Sequence, residues 1–321
     1  MSRPALFLLL SACAVASLAA GLLCGSVAVP LGEFAESLVH PAPGLAHDIV
    51  WRLRAPRVFA AFACGGLLAF SGAMLQVLLR NALADPYILG VSSGASLGAL
   101  IALTLGASPL AMNGAALTGA LAAIVIVFGL GFRAGDTNAY RLLLTGVVLA
   151  TGFSALVSLL LVMAPQAQVK GMLYWLMGDL TDAGSPVAAW FVLLLAIAFA
   201  LACATRLDLL ALGETKARAL GVAVAPLRIA VFLAAAIATV MAVMLGGAIG
   251  FIGLIAPHAI RLLGVADSRA LLPLAVLLGG AFLTLADTAS RTVWAPQQVP
   301  VGVLMALIGV PAMLVLLRRR A

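Results

Sequence analysis

The sequence predicts an all-α polytopic membrane protein with about ten transmembrane helices, and three observations carry that prediction. Of its 321 residues, 64% are hydrophobic and only 9% charged, with a mean hydropathy of +1.22, which leaves too little polar surface to cover a water-soluble globule. Apolar runs of roughly 20 residues, the length demanded by a bilayer core of about 30 Å, recur from Pro4 almost to the end. No polar stretch is long enough for a soluble domain, so residues 1–321 read as a single transmembrane domain.

The elements follow in order. The first run, 4–29, begins after Ser2 and Arg3 and contains Leu10, Ser11, Ala12 and Cys13, which resemble a lipoprotein cleavage box. The apolar character continues unbroken to Val29, as in a retained first span. Further spans are expected at 58–79, 88–105, 110–132, 142–163 and 187–205. The stretch 229–263 is too long for one upright crossing and short for two plus a turn. Gly246 and Gly247 mark the place to turn, giving spans at 229–245 and 248–263. The last two spans are 271–289 and 301–317.

Charge orients the bundle. With ten spans and both termini cytoplasmic, 13 basic residues lie inside: Arg3, Arg80, Arg133, Arg141, Arg206, Lys216, Arg218, Arg228, Arg261, Arg269 and Arg318 to Arg320. Five lie outside: Arg52, Arg54, Arg57, Lys170 and Arg291. A nine-span arrangement would put the terminal arginines outside, against the positive-inside rule. The basic balance therefore reports topology and not nucleic-acid binding. Small residues four apart, as in Gly90, Gly94 and Gly98 or Gly65, Ala69 and Ala73, predict close helix packing, with substrate contact the alternative reading.

The longest polar interruption on the inner side is 206–221. Gly213 and Gly221 can each end a short helix, because glycine accepts the left-handed cap. Between them Glu214, Lys216 and Arg218 interleave with Ala217 and Leu220. These residue types fit a partner-docking surface and an ordinary solvated loop equally well.

Several chemistries are excluded or disfavoured. A phosphate-binding loop needs Gly-Lys-Ser/Thr, and the two lysines follow Val169 and Thr215, so energy must come from another polypeptide or an ion gradient. An ion-coupled carrier would use Asp287, yet Arg291 four residues on can pair with it on one helix face. Gly90, Ser92 and Gly94 formally fit a nucleophile elbow, but no histidine is expected within reach of Ser92. His40 and His47 form no metal-ligand cluster, and Cys13, Cys24, Cys64 and Cys203 lack ligand spacing and sit in apolar runs.

Several motifs stand in a recognisable sequence order: Arg54, Pro56 and Arg57; Ser71, Gly72 and Gln76; Arg80 to Pro86 with Leu89 and Gly90; and Trp175 with Gly178. They continue with Leu212, Gly213, Glu214, Ala217, Leu220 and Gly221, then Phe251, Gly253, Pro257, His258 and Arg261, then Asp287 and Arg291, then Val299 to Gly302. Together, from about Arg54 onward, they resemble the permease family of bacterial ABC importers for iron siderophores, haem and cobalamin. The resemblance implies a multi-pass inner-membrane subunit that is not itself an enzyme, moving a metal chelate from periplasm to cytoplasm. It implies a second, identical permease subunit, a cytoplasmic ATPase subunit and a periplasmic binding protein, with no cofactor on this chain and ATP and Mg used by the ATPase. It assigns Leu212, Gly213, Glu214, Ala217, Arg218, Leu220 and Gly221, within 207–221, to coupling helices that seat on the ATPase. It also assigns Arg54, Arg57 and Arg291 to docking carboxylates of the binding protein, a task suited to the planar arginine fork; interfacial anchoring is the alternative for the first two. Ala82 stands where the family usually has proline, and Gln298 where it commonly has glutamate, which removes a charge at the outer entrance to the last span.

Overall fold

The chain starts with α1 (Arg3–Leu23), α2 (Leu31–Val39) and the single turn α3 (Leu45–His47), which widens into a π-helical turn at Asp48–Arg54 and continues as α4 (Ala55–Leu79). A 3-10 turn, Pro86–Leu89, leads into α5 (Val91–Thr104), followed by α6 (Pro109–Gly131), α7 (Ala139–Met163) and α8 (Gln166–Met177). The rest comprises α9 (Val187–Ala211), α10 (Glu214–Ala219), α11 (Val224–Gly246), α12 (Ile252–Leu262), α13 (Ser268–Thr292) and α14 (Val301–Arg318). This computed structural model describes residues 2–39, 44–131, 139–181 and 183–318. Phe132, at the expected end of the fourth span, and His40, Arg133, Arg319 and Arg320 lie outside the described residues.

Each expected apolar run contains a helix. Seven helices are long and apolar enough to cross a membrane, the one ending in α4 running unbroken over 35 residues from Leu45 to Leu79. Helices α5, α12 and the apolar part of α14 are shorter. The first helix stops at Leu23, not Val29, because the Arg54 guanidinium caps the Leu22 and Leu23 carbonyls and reaches Val27. Gly25 leaves room for that approach, since a Cβ there would sit 2.9 Å from the Arg54 guanidinium nitrogens. The third run begins its α-helix at Val91, after Gly90, with φ of 73°, closes the preceding 3-10 turn. The expected turn after α11 falls at Gly246 and Gly247, and α12 does not begin until Ile252.

Helix α4 is the axis of the bundle: nearly every residue from Ala55 to Leu78 is buried, against α13, α11, α12 and α9. Its small residues permit this, because in lipid helices associate through close packing and polar bonds rather than through water exclusion. A Cβ on Gly72 would overlap the Gly253 carbonyl of α12. The Ser71 hydroxyl meets the Ala235 carbonyl at 2.8 Å and the Thr239 hydroxyl at 2.7 Å, tying α4 to α11. Pro257, inside α12, has no N–H to offer the Gly253 carbonyl one turn earlier. Gln76 Nε2 donates to that carbonyl at 3.1 Å, and Arg261 donates to the side-chain oxygen Oε1 of Gln76. A second group forms where α5 lies on α6, with Gly94 against the Gly119 backbone and Gly98 against that of Ala115.

Candidate functional site

Two candidate surfaces lie at opposite ends of α11. At its C-terminal end, Met244, Leu245 and Gly247 line a cavity of about 650 Å³ together with Tyr174 and Trp175 of α8. The polar part of its wall is Asn113, Lys170, Asp179, Thr181 and Gln298. Behind it Arg57, at the start of α4, uses its whole guanidinium. Nε lies 3.0 Å from both Asp287 oxygens, and Nη2 donates to Oδ1 at 2.8 Å. Nη1 donates to Thr181 Oγ1 at 3.1 Å and to Gln298 Oε1 at 2.9 Å. The Thr181 amide and hydroxyl donate to Asp179 Oδ1 at 3.0 and 2.8 Å, and Arg57 Nη2 lies 4.0 Å from the same oxygen.

The structure gathers the three expected docking arginines into one cluster and buries them: Arg54 is 4%, Arg57 8% and Arg291 4% exposed. That differs from outward-facing docking forks. Arg291 Nε lies 3.5 Å from Asp287, so the pairing expected four residues apart is present, but the closer contact is with Arg57. Arg291 also donates to the Gly21 carbonyl, as Arg54 does to Leu22 and Leu23. The surplus positive charge of three guanidiniums over one buried carboxylate is met by the negative end of the α1 dipole. Asp287, held between Arg57 and Arg291, is a salt-bridge hub.

At the other end of α11 sits α10. Gly213, with φ of 114°, immediately precedes α10, and Gly221, with φ of 82°, follows it. Glu214 turns inward: it pairs with Arg228, near the start of α11, at 2.9 Å and more loosely with Arg218 at 3.3 Å. Arg228 is 3% exposed and Ala217 is fully buried. The opposite face is open, with Leu212 59% and Leu220 62% exposed beside exposed Lys216 and Arg218. The element therefore has a clamped face and a free apolar and basic face.

Residues 10–319 match the FecCD transport family. The chain is a member of that family. A cobalamin import system permease protein of Halobacterium salinarum is 41% identical over 290 residues, covering 89% of this chain and 78% of its own. A vitamin B12 import system permease protein of Salmonella typhi is 37% identical over 276 residues, covering 85% and 84%. A solved structure described as an inward-facing conformation of a metal-chelate type ABC transporter matches with a TM-score of 0.84 at 30% identity, over 99% of both chains. PsaBC from Streptococcus pneumoniae, at 15% identity and a TM-score of 0.58, shares the fold. As a FecCD family protein with several long apolar helices, the chain is a multi-pass inner-membrane protein.

The remaining candidate positions of this FecCD protein also have a place. Ser92 is buried at the start of α5, after a 3-10 turn; no strand precedes it and none occurs among the described residues, so the elbow geometry is missing. Among the described residues no three metal-ligating side chains gather. Gly90 packs on the Gly146 carbonyl of α7. In the connection from α4 to α5, the Asp85 carboxylate accepts from the Tyr87 amide at 2.8 Å, and the Tyr87 hydroxyl bridges the Ile249 amide and carbonyl, 2.8 Å from each. Burial pushes the Asp85 carboxyl up to about 6, against the opposing pull of the Tyr87 amide.

Sequence reasoning missed Arg228 as the partner of Glu214, and Asp179, Thr181 and Lys170 as cavity wall. The signal for Asp179 and Thr181 was their position just after the Trp175 to Gly178 motif. For Arg228 there was none beyond an arginine at the foot of an apolar helix.

Proposed function

We propose that this chain is the membrane-spanning subunit of an ATP-driven importer, carrying a large metal chelate from periplasm to cytoplasm, with cobalamin as the cargo. The observation that carries the reading is the placement of the two surfaces on one helix. The cavity lies at the C-terminal end of α11, and the free face of α10 lies beside its N-terminus, 23 residues or about 35 Å away. A cytoplasmic ATPase seats on Leu212, Lys216, Arg218 and Leu220, and its movement reaches the cavity through α11. A periplasmic binding protein delivers cargo at the cavity end, on a surface shaped from behind by Arg54, Arg57 and Arg291. A second copy of the chain completes the path, as closed symmetric pairs commonly do. The permease supplies a bistable bundle and differential contacts, and bond chemistry stays with the ATPase. The names of the Halobacterium and Salmonella relatives support the choice of cargo.

The test is reconstitution of the complex purified from its native cell into liposomes, followed by radiolabelled cyanocobalamin uptake. Uptake that needs ATP and the binding protein, and that survives collapse of ion gradients, is the expected result. Uptake driven by an ion gradient in the absence of ATP would overturn the reading in favour of a secondary transporter with Asp287 as its ion site.

A further inference from the structure

The cavity wall contains a side chain whose orientation is fixed by chemistry. Gln298 is a planar amide with an oxygen that only accepts and a nitrogen that only donates. Arg57 only donates, and its Nη1 lies 2.9 Å from Gln298 Oε1, so the amide cannot be turned the other way without setting donor against donor. Arg57 is itself immobilised by the bidentate contact with Asp287. The NH2 end of Gln298 is therefore turned away from the cation, and among the described residues it donates to no protein group, while the residue lines the cavity.

The neighbouring polar groups reinforce this bias. Asp179, the one carboxylate in the wall, already accepts from the Thr181 amide and hydroxyl, and the hydroxyl uses its single hydrogen in doing so. Lys170 adds a cation, 5.8 Å from the centre of the Tyr174 ring. The wall thus brings two donors to the cavity, the Lys170 ammonium and the Gln298 amide nitrogen, while Asp179 Oδ1 is engaged by Thr181.

We propose that Gln298 is a specificity-determining residue, its amide nitrogen held by Arg57 to donate to carbonyl-type oxygens, carboxamide or carboxylate, on the periphery of the cargo. The inference rests on the importer reading above and deepens it by naming what the cavity reads. It also separates two roles for one side chain: the oxygen restrains Arg57, and the nitrogen reads cargo.

Substitution separates those roles. Gln298→Glu keeps an oxygen against Arg57, strengthens that contact with a charge and removes the donor; Gln298→Leu removes both. The complex carrying each variant is purified with its ATPase and binding protein, and cyanocobalamin, rich in peripheral carboxamides, is the probe. Wild-type complex that moves no cyanocobalamin refutes the cargo reading and takes the proposal down with it. If the wild type transports, the expected result is that Gln298→Glu assembles normally yet needs about tenfold more loaded binding protein for half-maximal uptake, because a lost donor now faces an acceptor with an acceptor. Should Gln298→Glu transport like the wild type while Gln298→Leu fails, the side chain serves only to restrain Arg57, and the proposal is overturned although the importer reading stands. Wild-type uptake in both variants overturns it as well.

Discussion

Arg57 and Asp287 form a short ion pair with both side chains buried. Removing one partner of such a pair leaves an uncompensated charge, which costs about 3–5 kcal/mol. Arg57→Ala is therefore expected to lower the thermal unfolding midpoint of the detergent-solubilised protein sharply, and Arg57→Ala with Asp287→Asn to recover part of the loss; additive effects in that cycle would show that the two side chains do not interact. Asp85 behaves differently. Its carboxyl, at about 6, lies above the ordinary aspartate value of about 3.9, so the folded protein holds this proton more tightly than the unfolded chain. The sign follows: the contribution to stability is full below about pH 4, falls as pH rises to about 6 and is flat above, a loss of about 3 kcal/mol. Asp85→Asn keeps an oxygen for the Tyr87 amide and removes the titration. Unfolding midpoints measured at pH 4.5 and 7.5 should differ less in the variant than in the wild type.

Among the elements, α10 has the clearest division of labour. Its inner face is clamped to α11 by Glu214 and Arg228, and its outer face is free. Arg228→Ala is expected to uncouple transport from ATP hydrolysis, seen as cargo moved per ATP falling several-fold, whereas Arg218→Ala, which removes an exposed pair worth under about 1 kcal/mol to the fold, should act through ATPase affinity. Equal effects of the two on the transport ratio would remove the distinction. The sequence reading found this element from its glycines and charges but placed Glu214 with Lys216 and Arg218 on one docking surface, because a partner across a turn is not visible in a sequence. For the same reason α1 was expected to run on to Val29: its apolar run is local information, while the Arg54 guanidinium that ends it comes from another element. The turn at Gly246 and Gly247 was legible, since length and glycine are both local.

For the whole molecule, hydropathy made the helices legible because each must satisfy its own backbone in lipid. The cavity was not legible, since its wall is assembled from α5, α6, α8, α11 and the segments after α8 and before α14. Arg54, Arg57 and Arg291 were singled out as a group but not as buried residues; positions 57 and 287 are 230 residues apart, and nothing local reports their contact. The predicted orientation can be checked in a background lacking Cys13, Cys24, Cys64 and Cys203. A cysteine at Lys216 should react with a membrane-impermeant maleimide only after the membrane is opened, and one at Asp48 in intact spheroplasts; the reverse pattern would invert the topology.

The central position of α4 also bears on how the protein is made. This helix enters the membrane early, with Arg57, Ser71 and Gln76 along it, yet the groups that satisfy them belong to α11, α12 and α13. At a bacterial rate of about 5–20 residues per second, Asp287 leaves the ribosome roughly 10–50 s after Arg57. During that interval the nascent helix carries a guanidinium without its carboxylate, so the final packing of α4 must wait for α13.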